Sequence, residues 1–175
     1  APGRDAADSH GTLGGKSAGI YLAKQILKKK GHEIALLAPV KTPRTWHLTS
    51  DLAMHYMHYN DLDDIIEQKY KEINQVRVEY PHVVQIFKNA QFPLEIARGL
   101  AAALDDFGDR PIIVRSSSLL EDQIGTAFSG KYKSLFLANQ GTKAERLHDL
   151  KDAIAEVYAS VFSPDSINAR ILPHM

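Results

Sequence analysis

The chain has 175 residues, 44% of them hydrophobic, and its 21 lysines and arginines balance its 21 aspartates and glutamates. This length supports one domain, or two small lobes, with a substantial core. The balanced charge offers no basic field for nucleic acid, no apolar run approaches the roughly 20 residues of a membrane span, and the lack of cysteine excludes a disulfide framework. We therefore expect a cytoplasmic domain with neither nucleic acid nor a membrane among its partners.

The N-terminal quarter is predicted to contain a tail, a helix and two strands. Residues 1–12 are small and polar, which is typical of a flexible tail. Apolar side chains at helical spacing predict a helix over 18–30, ended by Gly31. The apolar run 33–40 indicates a buried strand, and a second short strand is expected over 46–48.

The middle of the chain is predicted to be helical. Ser50 is expected to cap a helix that carries Met54 and Tyr56. A long polar helix is expected over 62–78. Pro81 should interrupt the chain before a further helical stretch, because proline removes a helical hydrogen bond.

The C-terminal half is predicted to contain two amphipathic helices with two strands between them. Pro93 suits the first turn of the first helix, and Gly108 closes it. A capping box of Thr142 and Glu145 opens the second helix. The expected bounds are 94–107 and 144–161 for the helices and 111–114 and 131–138 for the strands. We expect the apolar stripes of these helices, and of helix 18–30, to pack against the sheet.

Polar residues are concentrated where the first of these strands ends. Arg115 is followed by three serines at 116–118, by Glu121 and Asp122, and by a small-residue loop at 125–130. Arginine offers a rigid fork of donors suited to phosphate oxygens, and small residues let main-chain N–H groups approach them. A serine-rich turn in which Arg115 pairs with Glu121 or Asp122 explains the residue types equally well. These two carboxylates favour a structural role over acid–base chemistry, because neighbours on an extended chain point to opposite sides.

Three motifs resemble the nucleotide-binding domain of the phosphoenolpyruvate synthase and pyruvate phosphate dikinase family. The first is LGGKSAGIYLAKQI at 13–26, the second is VRSSSLLEDQIGTAFSGKYKSLFL at 114–137, and the third is AIAEVYASVFSPDSINAR at 153–170. They occur in the order found in the family. The resemblance implies an α+β fold over 13–171, the front lobes of an ATP-grasp domain, with a small mixed sheet flanked by helices.

The resemblance also implies which residues bind ATP. Lys16 and Arg115 match the family positions that contact the phosphates, and Gly130 and Ser134 match positions that line the nucleotide site. The supporting residues of the same motifs are Gly15, Ser17, Ser116, Ser117, Glu121 and Asp122. We assign no catalytic residue and no metal ligand within the chain. If Lys16 and Arg115 serve one polyphosphate, their side chains should face each other across a cleft, about 5–12 Å apart.

Family members transfer a phosphoryl group from ATP to a histidine on a separate swivelling domain, which then phosphorylates pyruvate, and a related branch phosphorylates a rifamycin. The resemblance therefore implies ATP and Mg²⁺ as cofactors, with the metal ligands outside this chain. The implied partners are downstream phosphohistidine and pyruvate-binding domains. We expect the chain to be a fragment that transfers no phosphate by itself, with residues 172–175 as a vector-derived remnant.

Two other patterns suggest different chemistry. Residues 14–17 read Gly-Gly-Lys-Ser, as at the end of a P-loop, but His10 occupies the place of the glycine that a P-loop requires. His55 and His58 lie three apart on a predicted helix, yet no third ligand joins them at the spacing of a metal site. Both patterns are therefore weaker than the nucleotide-binding interpretation.

Several positions depart from the family pattern. Ser17 replaces a glycine or alanine, Leu119 and Leu120 replace small residues, and Ser134 replaces a common threonine. These departures leave a second reading open: a degenerate, non-catalytic domain used for regulation or for contact with another protein.

Overall fold

The computed structural model describes residues 15–30, 34, 39–116 and 133–171, and for 15–18 and 168–171 it describes the backbone alone. The α-helices are α1 (Gly15–Lys30), α2 (Ser50–Tyr59), α3 (Ile73–Asn89), α4 (Leu94–Phe107), α5 (Lys143–Ala159) and α6 (Pro164–Ile171). Two 3₁₀ helices cover Asp63–Tyr70 and Ser160–Phe162, and the strands are β1 (Ile112–Arg115) and β2 (Ser134–Leu137). Within these residues no helix has both the length and the apolar content needed to cross a membrane.

The predicted α+β class is confirmed. The two strands pair with each other in an antiparallel sheet, so in the described part of the chain the sheet is antiparallel instead of mixed. Helices surround one face of this sheet and supply most of the buried apolar surface. The fold is therefore a helical core that carries a short hairpin.

Helix α5 lies at the centre of the core. It contacts α3, α4 and both strands, and its buried residues occupy most of its last three turns. An aromatic cluster joins it to the other helices: the ring of Tyr56 lies 5.6 Å from that of Tyr158 and 4.5 Å from that of Phe92. The ring of Phe87 lies 5.9 Å from that of Phe162, and both side chains are fully buried.

The local signals at two helix ends are confirmed. Thr142 Oγ1 accepts a bond from the Glu145 N–H, and Glu145 Oε2 accepts one from the Thr142 N–H at 2.8 Å, which completes the capping box at the start of α5. Gly108 ends α4 with a φ of 66° and donates its N–H to the Leu104 carbonyl at 3.0 Å. A positive φ suits glycine, which has no Cβ to clash.

The strand predicted over 46–48 is wrong, because residues 41–49 form no regular element. This segment is held by hydrogen bonds to the end of α4: Trp46 Nε1 donates to Asp106 Oδ2 at 2.9 Å, and Arg44 donates to Asp106 Oδ1 at 2.9 Å. An apolar run indicates burial but does not reveal whether a partner strand exists. For the strand expected over 33–40, residues 35–38 lie outside the described part, and residues 34, 39 and 40 are not in a strand.

The helix predicted over 62–78 and the interruption at Pro81 are also wrong. A 3₁₀ helix ends at Tyr70, and α3 then runs from Ile73 through Pro81 to Asn89. Proline removes one backbone hydrogen bond, but the helix buries apolar side chains on both sides of it. These buried side chains are Val76, Val83 and Phe87.

The apolar stripes of the three helices expected to cover the sheet behave differently. Helix α5 contacts both strands, whereas α4 packs against α5. Helix α1 begins at Gly15, three residues before its predicted start, and ends at Lys30 as predicted. Leu22 and Ile26 are 60% and 49% exposed, so its expected packing is not observed. Helix α2 begins at Ser50 with Thr49 as its N-cap, one residue earlier than predicted.

The buried Phe87 side chain generates a stability prediction. We expect Phe87→Ala to lower the free energy of unfolding by about 3–5 kcal/mol, because the change leaves a cavity between the helices. Urea unfolding followed by circular dichroism measures the change. Phe136→Ala is the matched control, since Phe136 is 82% exposed and its truncation should cost no more than about 0.5 kcal/mol. Equal losses for the two variants would contradict the described core.

A network of hydrogen bonds on Glu79 links the 3₁₀ helix to α3. Glu79 Oε2 accepts from Lys71 Nζ and from Gln68 Nε2, both at 2.6 Å, and Oε1 accepts from Gln75 Nε2 at 2.7 Å. The bond from Lys71, followed by those from Gln68 and Gln75, lowers the pKa of Glu79 from 4.5 to about 2. The folded state therefore favours the ionised carboxylate.

This shift predicts a dependence of stability on pH. Because the pKa of Glu79 is lower in the folded than in the unfolded chain, its contribution is fully present above pH 4.5 and is lost as the pH falls towards about 2. We expect the stability difference between the natural chain and Glu79→Gln to shrink over that range. Thermal unfolding at several pH values measures it, with Glu67→Gln on the exposed surface as the control. A difference that stays constant with pH would contradict the network.

Candidate functional site

The pairing of β1 with β2 places two predicted phosphate-binding residues opposite each other. Arg115 is the last residue of β1, Ser134 is the first residue of β2, and the two are direct partners in the antiparallel register. Directly opposed residues in such a pair project to the same face with Cβ atoms about 5 Å apart. Both residues are exposed, so this end of the hairpin presents a guanidinium beside a hydroxyl.

The two faces of the hairpin differ in burial. Ile112, Val114 and Leu137 pack against the core cluster, and the alternating residues face outwards. A shift of the register by one residue would turn these apolar side chains to solvent and Arg115 towards the core. Burial of the inner face therefore fixes Arg115 and Ser134 on the outer face.

The far end of the hairpin is tied by Asn139. This residue has a φ of 58°, is buried, and donates hydrogen bonds from Nδ2 to the carbonyls of Gly108 and Arg110, each at 2.8 Å. The neighbouring Gln140 donates to the Asp109 carbonyl at 2.8 Å. The residues that follow β2 are thereby bonded to those that precede β1, which secures the register from the end opposite to Arg115.

An ion pair ties the site end of the hairpin to α5. Lys133, immediately before Ser134, bonds to Glu156 of α5. Glu156 also lies 4.0 Å from Lys88 Nζ of α3, which in turn is 3.1 Å from Asp152. The backbone at Ser134 is therefore held both by the strand pairing and by this charged contact.

The described residues leave the positive charge of Arg115 available. Within the described part of the chain, no carboxylate is paired with Arg115 or bonded to Ser134. The alternative pairing of Arg115 with Glu121 or Asp122 lies outside that part. Ser116 is half-buried and already has an interaction. An exposed guanidinium beside a hydroxyl suits recognition of phosphate oxygens.

Most of the other predicted site residues lie where the structure describes no side chains. The backbones of Gly15, Lys16 and Ser17 form the first turn of α1, but their side chains are outside the description. The other predicted residues lie in the 117–132 segment, also outside the description: Ser117, Glu121, Asp122 and Gly130. The expected separation of Lys16 and Arg115, and the position of loop 125–130, therefore stay predictions.

The two histidines of α2 lie near separate carboxylates, and only His58 is within hydrogen-bond distance of its own. His55 Nδ1 lies 3.7 Å from Glu95 Oε1, and His58 Nδ1 lies 3.1 Å from Asp63 Oδ2. Among the described residues, no group of three or more His, Asp or Glu side chains is placed to hold a metal ion. No metal ligand is therefore assigned to any described residue.

Sequence reasoning missed the residues that hold the site in place. Asn139 lies outside the quoted motifs, and although Lys133 and Glu156 lie within two of them, nothing in either motif indicates that they pair, because the partners are distant in sequence. The one usable signal was the sequence Asn139–Gln140–Gly141, whose residue types favour a turn with positive φ. Both Asn139 and Gly141 do adopt positive φ.

Comparison with known proteins identifies the family. Neither the curated proteins nor the solved structures contain a match to this chain. The family model described as "Pyruvate phosphate dikinase, AMP/ATP-binding domain" matches residues 10–173, which is nearly the whole sequence. That span includes both strands of the hairpin and the first turn of α1. The chain therefore belongs to the AMP/ATP-binding domain family of pyruvate phosphate dikinase.

Proposed function

We propose that the site end of the hairpin binds the phosphates of ATP, with Arg115 donating to phosphate oxygens and Ser134 bonding beside it. The observation that carries this proposal is the register in which these two exposed residues face each other. The family is one of AMP/ATP-binding domains, which supplies the ligand. The backbone that carries this guanidinium is held at both ends of the hairpin, and the planar fork of the guanidinium suits phosphate oxygens.

Lys16 and Gly130 complete the proposed phosphate site. Lys16 lies in the first turn of α1, where the partial positive charge of a helix N-terminus favours an anion. Gly130 would allow the main chain to approach the phosphates. The supporting roles fall to small and acidic residues that would shape the loops around them: Gly15, Ser17, Ser116, Ser117, Glu121 and Asp122.

The activity we propose is phosphoryl transfer from ATP, through a phosphohistidine on a separate domain, to pyruvate or a related acceptor. Such transfer depends mainly on positioning and on neutralising phosphate charge, and Arg115 and Lys16 would serve both purposes. The partners would be downstream phosphohistidine and pyruvate-binding domains. Mg²⁺ would neutralise phosphate charge when bound, but the described residues offer no set of ligands for it. We place the protein in the cytoplasm, because a chain without cysteine has no disulfides and so suits a reducing compartment.

A second candidate function is a degenerate domain that contacts another protein. Ile113 and Phe136 are cross-strand partners on the same outer face as Arg115, and they are 47% and 82% exposed. An exposed apolar pair beside a cation is also suited to contact with another protein. The departures at Leu119 and Leu120 favour this reading as well. If the folded chain binds no nucleotide, contact with another protein becomes the leading proposal.

The central prediction concerns Arg115. We expect Arg115→Met to weaken ATP binding at least about tenfold, because one charge-assisted bond to phosphate is lost. Calorimetric titration of the 175-residue chain measures the affinity, and added salt should weaken binding to the natural chain, since charge dominates it. Arg110→Met is the matched control, because Arg110 is also exposed but precedes β1 at the opposite end of the hairpin.

The same titration followed by amide NMR shifts locates the site. We expect ATP to move the signals of residues 15–17, 115–116 and 133–134. Shifts confined to other parts of the chain, or equal losses of affinity in Arg115→Met and Arg110→Met, would overturn the proposed phosphate site.

A further inference from the structure

A cleft with basic side chains lies between the end of α3 and helix α5. It has a volume of about 310 Å³ and is formed by the end of α3, the loop that follows it, and one face of α5. The side chains that line it and matter here are Lys88, Phe92, His148, Lys151 and Asp152. None of these residues belongs to the family motifs that we assign to ATP.

The α5 residues converge on the cleft because of their spacing. His148, Lys151 and Asp152 lie three and four positions apart, which places them on one side of the helix. Lys88, in the last turn of α3, closes the cleft from the other helix. Two lysines and a histidine therefore surround one carboxylate.

The Asp152 carboxylate already forms an ion pair within the cleft. Asp152 Oδ2 accepts a bond from Lys88 Nζ at 3.1 Å, and the nearby Glu156 is bonded to Lys133. Donation of a hydrogen bond to Asp152, with the nearby charge of Glu156, raises the pKa of Lys88, so this ammonium stays charged and keeps donors beyond the one given to Asp152. Among the described residues, neither Lys151 nor His148 has a carboxylate partner. The cleft thus carries an excess of positive charge and unused donors.

One wall of the cleft is apolar. Phe92 and Ala90 line it and are half-buried, and the Phe92 ring contacts the Tyr56 ring in the core, with the ring centres 4.5 Å apart. A volume of 310 Å³ lies at the small end of ligand sites. A compact anion with a short carbon part fits both the donors and this wall.

We propose that this α3–α5 cleft binds a small phosphate monoester, with Lys88 and Lys151 donating to the phosphate oxygens and Phe92 contacting the carbon part. His148 lies at the rim and contributes a further donor. The residues of this cleft differ from those assigned to ATP, although Lys88 is linked to the site end of the hairpin through Glu156 and Lys133.

Glycerol 3-phosphate and inorganic phosphate serve as probes, added separately to the isotope-labelled 175-residue chain at constant ionic strength. We expect both to give saturable amide shifts in residues 88–92 and 148–152, in about the millimolar range. Tighter binding of glycerol 3-phosphate supports the apolar contact with Phe92. Equal binding of the two probes would overturn the assignment of a monoester.

Lys151→Gln tests the donors, and Lys28→Gln on the exposed side of α1 is the control with the same change of charge. We expect Lys151→Gln to weaken binding of glycerol 3-phosphate at least about fivefold and the control to leave it unchanged. Equal weakening in both variants, or shifts that grow linearly without saturation, would show general charge screening and overturn the proposal. Because ATP binding is measured through Arg115, failure here leaves the proposed function untouched.

Discussion

Burial of one side of helix α5 determines where the other described elements lie. Its last three turns present apolar side chains to α3, α4 and the hairpin at once. Each of these neighbours is amphipathic and has its own apolar side to bury. The aromatic rings of Tyr56, Phe87, Tyr158 and Phe162 fill the space between them. The hydrophobic effect thus stabilises a helical framework, and the short sheet is stable because it packs on that framework.

The features that the sequence predicted well depend on a few neighbouring residues. The capping box at Thr142 and the left-handed Gly108 are decided within one turn of chain, so residue types alone suffice. The continuation of α3 through Pro81 and the absence of a strand at 46–48 depend on distant contacts, which a local pattern does not contain. Helix α1 shows the same limit of local patterns. The spacing of its apolar residues predicted a helix, but spacing does not tell whether another element covers those side chains.

The candidate site shows the same difference between residues that a local motif predicts and residues that depend on distant contacts. Arg115 and Ser134 were predicted as site residues because their motif resembles a known family, and the register shows that these two residues, 19 positions apart in sequence, are direct strand partners. The supports of the site were not found, because Asn139 and the Lys133–Glu156 pair join segments that carry no shared motif. Residues that contact a ligand are restricted in type by its chemistry, whereas residues that hold them need only a partner at the right distance.

The tie made by Asn139 has a consequence for how this domain can change over evolution. Asn139 bonds the chain after β2 to the chain before β1, while the residues that connect the strands, 117–132, leave from the opposite end. These bonds hold the strand register from the end opposite to the connecting segment. Loops anchored on a rigid scaffold are the usual place for new specificity. The tie at Asn139 thus allows the connecting segment to change in length or composition while Arg115 stays opposite Ser134.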